Sequence, residues 1–149
     1  KLSTIDIDVL NVTIPPVNFH TTITMPSSYL QKIIRDMHNI SEYIEIRNIE
    51  KLLILKCNGD FCSQETILGS EKSQNIIISK QTDNNISETE SDQEIIQGVF
   101  SLKYLLIFTK CTNLCPMVEI YLKNSYPIIL RYSIASLGEI KLCLAQQDI

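Results

Sequence analysis

The sequence predicts an α+β fold in which one strand–helix–strand–strand–strand unit occurs twice, with both helices on one face of a shared sheet. Three observations predict it. The same order of apolar patterns recurs near residues 19–68 and 94–145. Leu30, Ile33, Ile34 and Met37 fall at i, i+3, i+4 and i+7, which gathers them into one stripe of a helix of about three turns. The other apolar residues, mostly Ile and Leu, alternate with polar ones in short runs, as half-buried strands do. A hydrophobic share of 44% is enough for a real core, and a charged share of 20% is modest, so a disordered chain is excluded.

Along the chain, Ile5–Val9 alternates like a short strand, and Ile14-Pro15-Pro16 must be extended. Phe19–Met25 reads as the first strand of the first unit. Pro26-Ser27-Ser28 then starts the helix, with Ser27 or Ser28 available as N-cap. Tyr43–Arg47 and Leu52–Lys56 read as a hairpin around Asn48–Lys51. Asn58-Gly59-Asp60 is a turn, and Phe61–Leu68 is a further strand. Gln81–Gln93 is a polar loop in which only Ile86 is apolar. The order then repeats: strand Glu94–Val99, helix Leu102–Phe108, a hairpin of Met117–Leu122 and Pro127–Ile134 around Lys123–Tyr126, and a last strand Ile140–Leu144.

Composition narrows the chemistry. A net charge of −4 argues against wholesale attraction to nucleic acid, although local charge matters more than the sum. No apolar run approaches the roughly 20 residues that span a bilayer, so no membrane partner is expected. The five cysteines are an odd number, which suggests reduced thiols. Cys57-x4-Cys62 and Cys111-x3-Cys115 lack zinc-ribbon spacing, and His20 and His38 lie elsewhere, so no metal or other cofactor is expected. Asp6 and Asp8 have no metal partners in view, and the acidic run Glu88–Glu94 reads as a solvated loop. With four glycines there is no phosphate-cradling loop, and no nucleophile–base pair stands out, so no catalytic residue is assigned.

Several segments, taken in order, resemble the sliding-clamp family of proliferating cell nuclear antigen. Ile5-Asp6-Ile7-Asp8-Val9 with Ile14-Pro15 is similar to the family's interdomain connecting loop. Met25-Pro26-Ser27 with Lys32-Ile33-Ile34-Arg35-Asp36 resembles the first helix of its second domain. Phe100-Ser101-Leu102-Lys103-Tyr104-Leu105 with Phe108-Thr109-Lys110 resembles the second helix and is the most distinctive stretch. Asn58-Gly59-Asp60, Tyr126-Pro127, Tyr132-Ser133-Ile134-Ala135 and Leu144-Ala145 match family turns and closing strands. The resemblance implies the DNA-clamp fold, a duplicated βαβββ unit with two helices on one face of curved antiparallel sheets. It makes residues 1–18 the connecting loop and 19–149 the C-terminal clamp domain. The initial Lys and the start at that loop lead to the expectation that the N-terminal clamp domain is absent here, and that the fragment does not close a ring alone.

Function follows from the resemblance as an expectation. The family's rings of three chains encircle double-stranded DNA, which implies a polymerase processivity factor and not an enzyme. DNA-facing cations would be Lys32 and Arg35, three apart and about 60° apart on a helix, and Lys103 and Lys110, seven apart and within about 20°. Phosphate contacts of this kind are independent of base sequence and permit sliding. A client-peptide pocket would comprise Val12, Ile14, Pro15, Pro127, Cys143, Ala145 and Gln146, receiving DNA polymerase, clamp loader and other proteins with clamp-binding motifs. Cys143 stands where the family usually has an aromatic residue, and Gln146 where it has proline. Glu50 lies near a lysine that is modified in eukaryotic members. Phe61, Ile67 and Leu68, on an edge strand, would meet another subunit. The implied location is the nucleus, or a viral replication compartment. The Ile and Asn enrichment fits an AT-rich genome such as that of a large DNA virus or a protist. A checkpoint-type heteromeric clamp subunit and an unrelated α+β regulatory domain are the alternative readings.

Overall fold

The computed structural model describes residues 19, 21–69, 75–81 and 95–148. The segment expected to be a connecting loop, with Val12, Ile14 and Pro15, lies outside the described residues, as does almost all of the polar stretch before the second unit.

The first unit runs β1 (Thr21–Pro26), α1 (Ser27–His38), β2 (Tyr43–Ile49), β3 (Leu52–Asn58) and β4 (Ser63–Gly69). A short strand, β5 (Ile77–Lys80), follows it and had no counterpart in the sequence reading. The second unit runs β6 (Ile96–Ser101), α2 (Leu102–Phe108), a 3-10 segment Thr109–Asn113, β7 (Met117–Leu122), β8 (Ile128–Ile134) and β9 (Gly138–Leu144). Strand β4 starts two residues later than predicted, which leaves Phe61 in the preceding loop.

The strands do not form one shared sheet. Among the described residues they form two, in the orders β5-β1-β7-β8-β9 and β4-β3-β2-β6. Each unit keeps its three-strand meander and lends its first strand to the other unit's sheet: β1 pairs antiparallel with β7, and β6 with β2. The exchange is matched residue for residue, because Ile23 faces Ile120 just as Gly98 faces Ile46. Such a choice between sheets leaves no mark in a period-two pattern, because either sheet buries the same alternate residues.

The two strand–helix junctions are tied in the same way. Ser27 N donates to Pro116 O at 2.9 Å, and Leu102 N donates to Glu42 O at 2.9 Å. Each helix therefore starts by donating to the backbone of the other unit. Neither predicted serine caps α1. The N-cap position is Pro26, with no side-chain cap bond, and Ser27 is fully buried.

Both sheets and both helices share one core. Alpha-helix residues Leu30, Ile33, Ile34 and Met37 are all buried, as the predicted stripe requires, and Leu102 and Leu105 join them from α2. An apolar void of about 20 Å³ marks the convergence, lined by Leu30 and Leu105 from the helices, Ile46 and Leu55 from one sheet, and Ile120 and Leu130 from the other. With no polar lining it is suited to stay dry. The β2–β3 connection is tighter than predicted: Asn48 and Ile49 belong to β2, and Glu50 takes a left-handed φ of 52° at the turn.

Candidate nucleic-acid and partner interfaces

Helices α1 and α2 pack side by side and antiparallel. At one end Gln31 Nε2 donates to Thr109 O at 3.2 Å and Thr112 Oγ1 to Ser27 O at 3.4 Å, joining the start of α1 to the end of α2. At the other end the Leu102–Glu42 bond joins the start of α2 to the chain just after α1. Because the apolar stripes of both helices face the sheets, the opposite face of the pair is left to solvent.

Lys32, Arg35, Lys103 and Lys110 are all exposed. None of the four forms an ion pair among the described residues. Lys32 and Arg35 share α1 as predicted, with Asp36 also exposed beside them. The second pair needs a correction of geometry. α2 ends at Phe108 and Lys110 lies in the 3-10 segment, so the seven-residue spacing does not align Lys103 with Lys110 as a continuous α-helix would. The Nζ of Lys103 lies 5.8 Å from the Tyr104 ring centroid, near the outer limit for a cation–π contact. The same lysine borders an open cleft of about 780 Å³ shared with His38, Asn39, Glu42 and Asp60.

The predicted docking residues fall at the far end of the five-stranded sheet. Cys143 pairs with Ile129 in the β8–β9 register, and Ile129 with Tyr121 in β7–β8. These three stand in one row on the sheet face away from the helices, and the Phe19 ring lies 5.6 Å from that of Tyr121. Ile129 is buried on this outer face. Desolvation pushes the Cys143 thiol up, so it is neutral at ordinary pH. Nearby, Glu119 accepts from the Tyr121 hydroxyl at 2.5 Å and pairs with Arg131 at 3.0 Å. Desolvation, followed by the hydrogen bond to Glu119, raises Tyr121 to about 12.

Pro127 is half-buried and Ala145 exposed, and Gln146 has a definite role. Its Nε2 donates to Tyr126 O at 3.1 Å, and the next residue, Gln147, donates its backbone N to Val99 O at 2.8 Å. The C-terminal tail is thereby strapped onto the free edge of β6. A proline at position 146 could supply no such donor. Gly98 makes room for the strap, since a Cβ there would come within 2.9 Å of Gln146 Nε2 and the Phe100 ring. The same edge is closed further along by Asn124, which accepts from Gln97 N at 2.9 Å and donates to Ile95 O at 3.0 Å. Sequence reasoning missed Asn124 and Gln147. Nothing in a turn written Lys-Asn-Ser-Tyr-Pro signals that its amide will imitate a strand.

The three predicted subunit-contact residues part company. Strand β4 is a sheet edge, paired only with β3 among the described residues, and Ile67 projects half-exposed from it. Leu68 points the other way, into the core, and Phe61 is fully exposed in the loop before the strand. Strand β9, unforeseen as an edge in the sequence, is likewise paired on one side only among the described residues. Among the described residues no three His, Cys, Asp or Glu side chains converge on a metal position, and no helix is long and apolar enough to cross a membrane.

Residues 13–147 match the family described as proliferating cell nuclear antigen, C-terminal domain. This chain belongs to that family. The two helices and two antiparallel sheets described above are consistent with that family's clamp domain. Among its relatives are the probable DNA polymerase sliding clamp 1 of Paramecium bursaria Chlorella virus 1, 36% identical over 97% of this chain and 52% of the relative. Another is the probable DNA polymerase sliding clamp of Acanthamoeba polyphaga mimivirus, 30% identical over 95% of this chain and 28% of the relative. The chain thus spans about half the length of the first of these clamps and less of the second.

Proposed function

We propose that this chain is the C-terminal half of a DNA polymerase sliding clamp, a processivity factor that binds and does not catalyse. The observation that carries the reading is the antiparallel helix pair, which exposes Lys32 and Arg35 on α1, Lys103 on α2 and Lys110 on the 3-10 segment that follows it, none of them ion-paired among the described residues. An acidic chain that exposes four cations on and beside one helix pair is suited to contact a phosphate backbone. Completed by a first clamp domain, three such chains would enclose duplex DNA. The outer face near Pro127, Cys143, Ala145 and Gln146, with Val12, Ile14 and Pro15 of the leader, would receive the hydrophobic plug of a polymerase, clamp loader or similar client. The nucleus or a viral replication compartment is the corresponding location.

The test is the salt dependence of duplex binding. Each cation that touches phosphate contributes about 0.9 to the slope of log affinity against log salt. The quadruple Lys32→Ala, Arg35→Ala, Lys103→Ala, Lys110→Ala variant should bind more weakly and lose most of that slope while circular dichroism stays unchanged. An unaltered slope would refute the reading.

A further inference from the structure

Two thiols stand within about one turn of chain, directly after Lys110. The backbone stays right-handed helical from Phe108 to Leu114, and Leu114 N donates to Cys111 O at 2.9 Å. A turn therefore closes on Cys111 and delivers Cys115 as the next residue. Cys115 is buried and Cys111 half-buried against the same core, and neither is in a disulfide. Cys115 Sγ donates to Met117 O at 2.9 Å, which holds it inward.

The corner they share holds polar groups that the chain leaves unengaged. The fully buried Tyr132 has Cys111 and Cys115 as the titratable neighbours of its hydroxyl, which has no hydrogen-bond partner among the described residues. The Ser27 hydroxyl is likewise buried and without a partner among them. The backbone of Ser27 bonds to Thr112 and Pro116, the residues that follow the two cysteines. Two thiols and two unengaged hydroxyls at one buried corner are costly as packing alone. They are suited to chemistry in which a sulfur gains an oxygen, because a buried hydroxyl can donate to that oxygen.

We infer that Cys111 and Cys115 are a modification site, a dithiol that a hydroperoxide oxidises to an intrachain disulfide, and that this bond removes the phosphate contact of Lys110. Cys111, the more accessible sulfur, attacks the peroxide as its thiolate and takes one oxygen, and the first water leaves. Cys115 then attacks the sulfenic acid, the S–S bond forms, and the oxygen leaves as a second water. Two thiols and one hydrogen peroxide thus give one disulfide and two waters, with sulfur oxidised and peroxide reduced. Four residues of 3-10 winding rise about 8 Å and four of α-helix about 6 Å. A disulfide holds its Cα atoms within about 6.8 Å, so closing the bond draws the segment shorter. It does so against the bonds that seat the segment on α1, from Gln31 Nε2 to Thr109 O and from Thr112 Oγ1 to Ser27 O. Lys110 lies between these two anchors and moves with them.

The loss of DNA contact rests on the clamp reading and the disulfide does not, so the experiment reads them separately. Trypsin releases residues 111–123 as one peptide with both sulfurs, and 57–72 as one with Cys57 and Cys62. The second peptide is the control, because in the β3–β4 hairpin Cys57 faces Gln64 and not Cys62. After brief treatment of the folded chain with hydrogen peroxide, peptide 111–123 should lose two hydrogens and regain them with dithiothreitol. Cys111→Ser and Cys115→Ser should each abolish that loss. The oxidised chain should lose about 0.9 from its salt slope on duplex DNA. Lys110→Ala should lose as much without peroxide and nothing further with it. The inference is overturned if peptide 111–123 keeps its hydrogens, if it loses them no faster than the control, or if its disulfide closes with the slope unchanged. A reduced chain that binds no duplex would remove the clamp reading, and the peptide alone would then decide for or against the dithiol.

Discussion

Thr21 and Asn48 join the two sheets through a buried hydrogen bond, Thr21 Oγ1 donating to Asn48 Oδ1 at 3.0 Å. Both residues are fully buried. The same asparagine donates Nδ2 to Leu52 O at 3.0 Å and to Glu50 O at 3.3 Å, so one side chain pins the left-handed β2–β3 turn to the first strand of the other sheet. A buried amide satisfied on this scale is costly to disturb. Replacing Asn48 with Ala should lower stability by about 2–4 kcal/mol, because a cavity opens and two carbonyls lose their donor. Thr21→Val, which removes only the hydroxyl, should cost about 1–2 kcal/mol. Urea titrations of both variants check the order as well as the sizes.

Alkaline stability should depend on two tyrosines. Tyr121 is raised to about 12, first by desolvation and then by its bond to Glu119. Tyr132 is raised too, by desolvation foremost, and its buried hydroxyl has no hydrogen-bond partner among the described residues. In the unfolded chain a tyrosine titrates near 10. Below about pH 10 both states keep the proton and the stabilisation is whole. Above it the unfolded state releases the proton while the folded state retains it, so stability falls as pH rises through about 12. Tyr121→Phe should flatten that decline without altering stability at neutral pH by more than about 1 kcal/mol. Tyr132→Phe should be neutral or stabilising, since it deletes a buried hydroxyl that no described residue pairs. Denaturant midpoints between neutral pH and pH 12 measure both effects.

Asn124 predicts a local result. Its amide occupies Gln97 N and Ile95 O on the outer edge of β6, where an ordinary sheet would have another strand. Asn124→Ala should return both groups to solvent and speed hydrogen exchange at the Gln97 amide at least tenfold. The amide of Ile120, in the middle strand β7, should be unaffected. Gln146→Pro should loosen the tail without that signature, because Asn124 would still close its part of the edge. Exchange followed residue by residue by NMR distinguishes the two variants.

Much of the fold was legible because it is periodic. The stripe of Leu30, Ile33, Ile34 and Met37 needs one buried side, and any fold that uses this helix must provide it. Alternation likewise located the strands and which residues turn inward, with Leu68 as the instructive exception: its pattern placed it on an edge strand, and the same alternation turns it into the core. What periodicity cannot express is partnership. The serines beside Pro26 looked like caps, yet the first amide of α1 is taken by Pro116, some ninety residues away in sequence. Lys110 looked helical by spacing, and the chain tightened into a 3-10 turn before reaching it.

The sequence by itself determined two repeated units, their inward residues and, through an ordered series of resemblances, the family to which the chain belongs. Only the tertiary structure decided that the units trade first strands, that Thr21 and Asn48 meet across two sheets, and that Asn124 and Gln147 close one edge. The reason is physical. Burial of alternate or stripe residues is a local demand that each segment carries in its own composition. Backbone hydrogen bonds are nearly the same whichever strand supplies them, so the choice among edges falls to the packing of the whole domain.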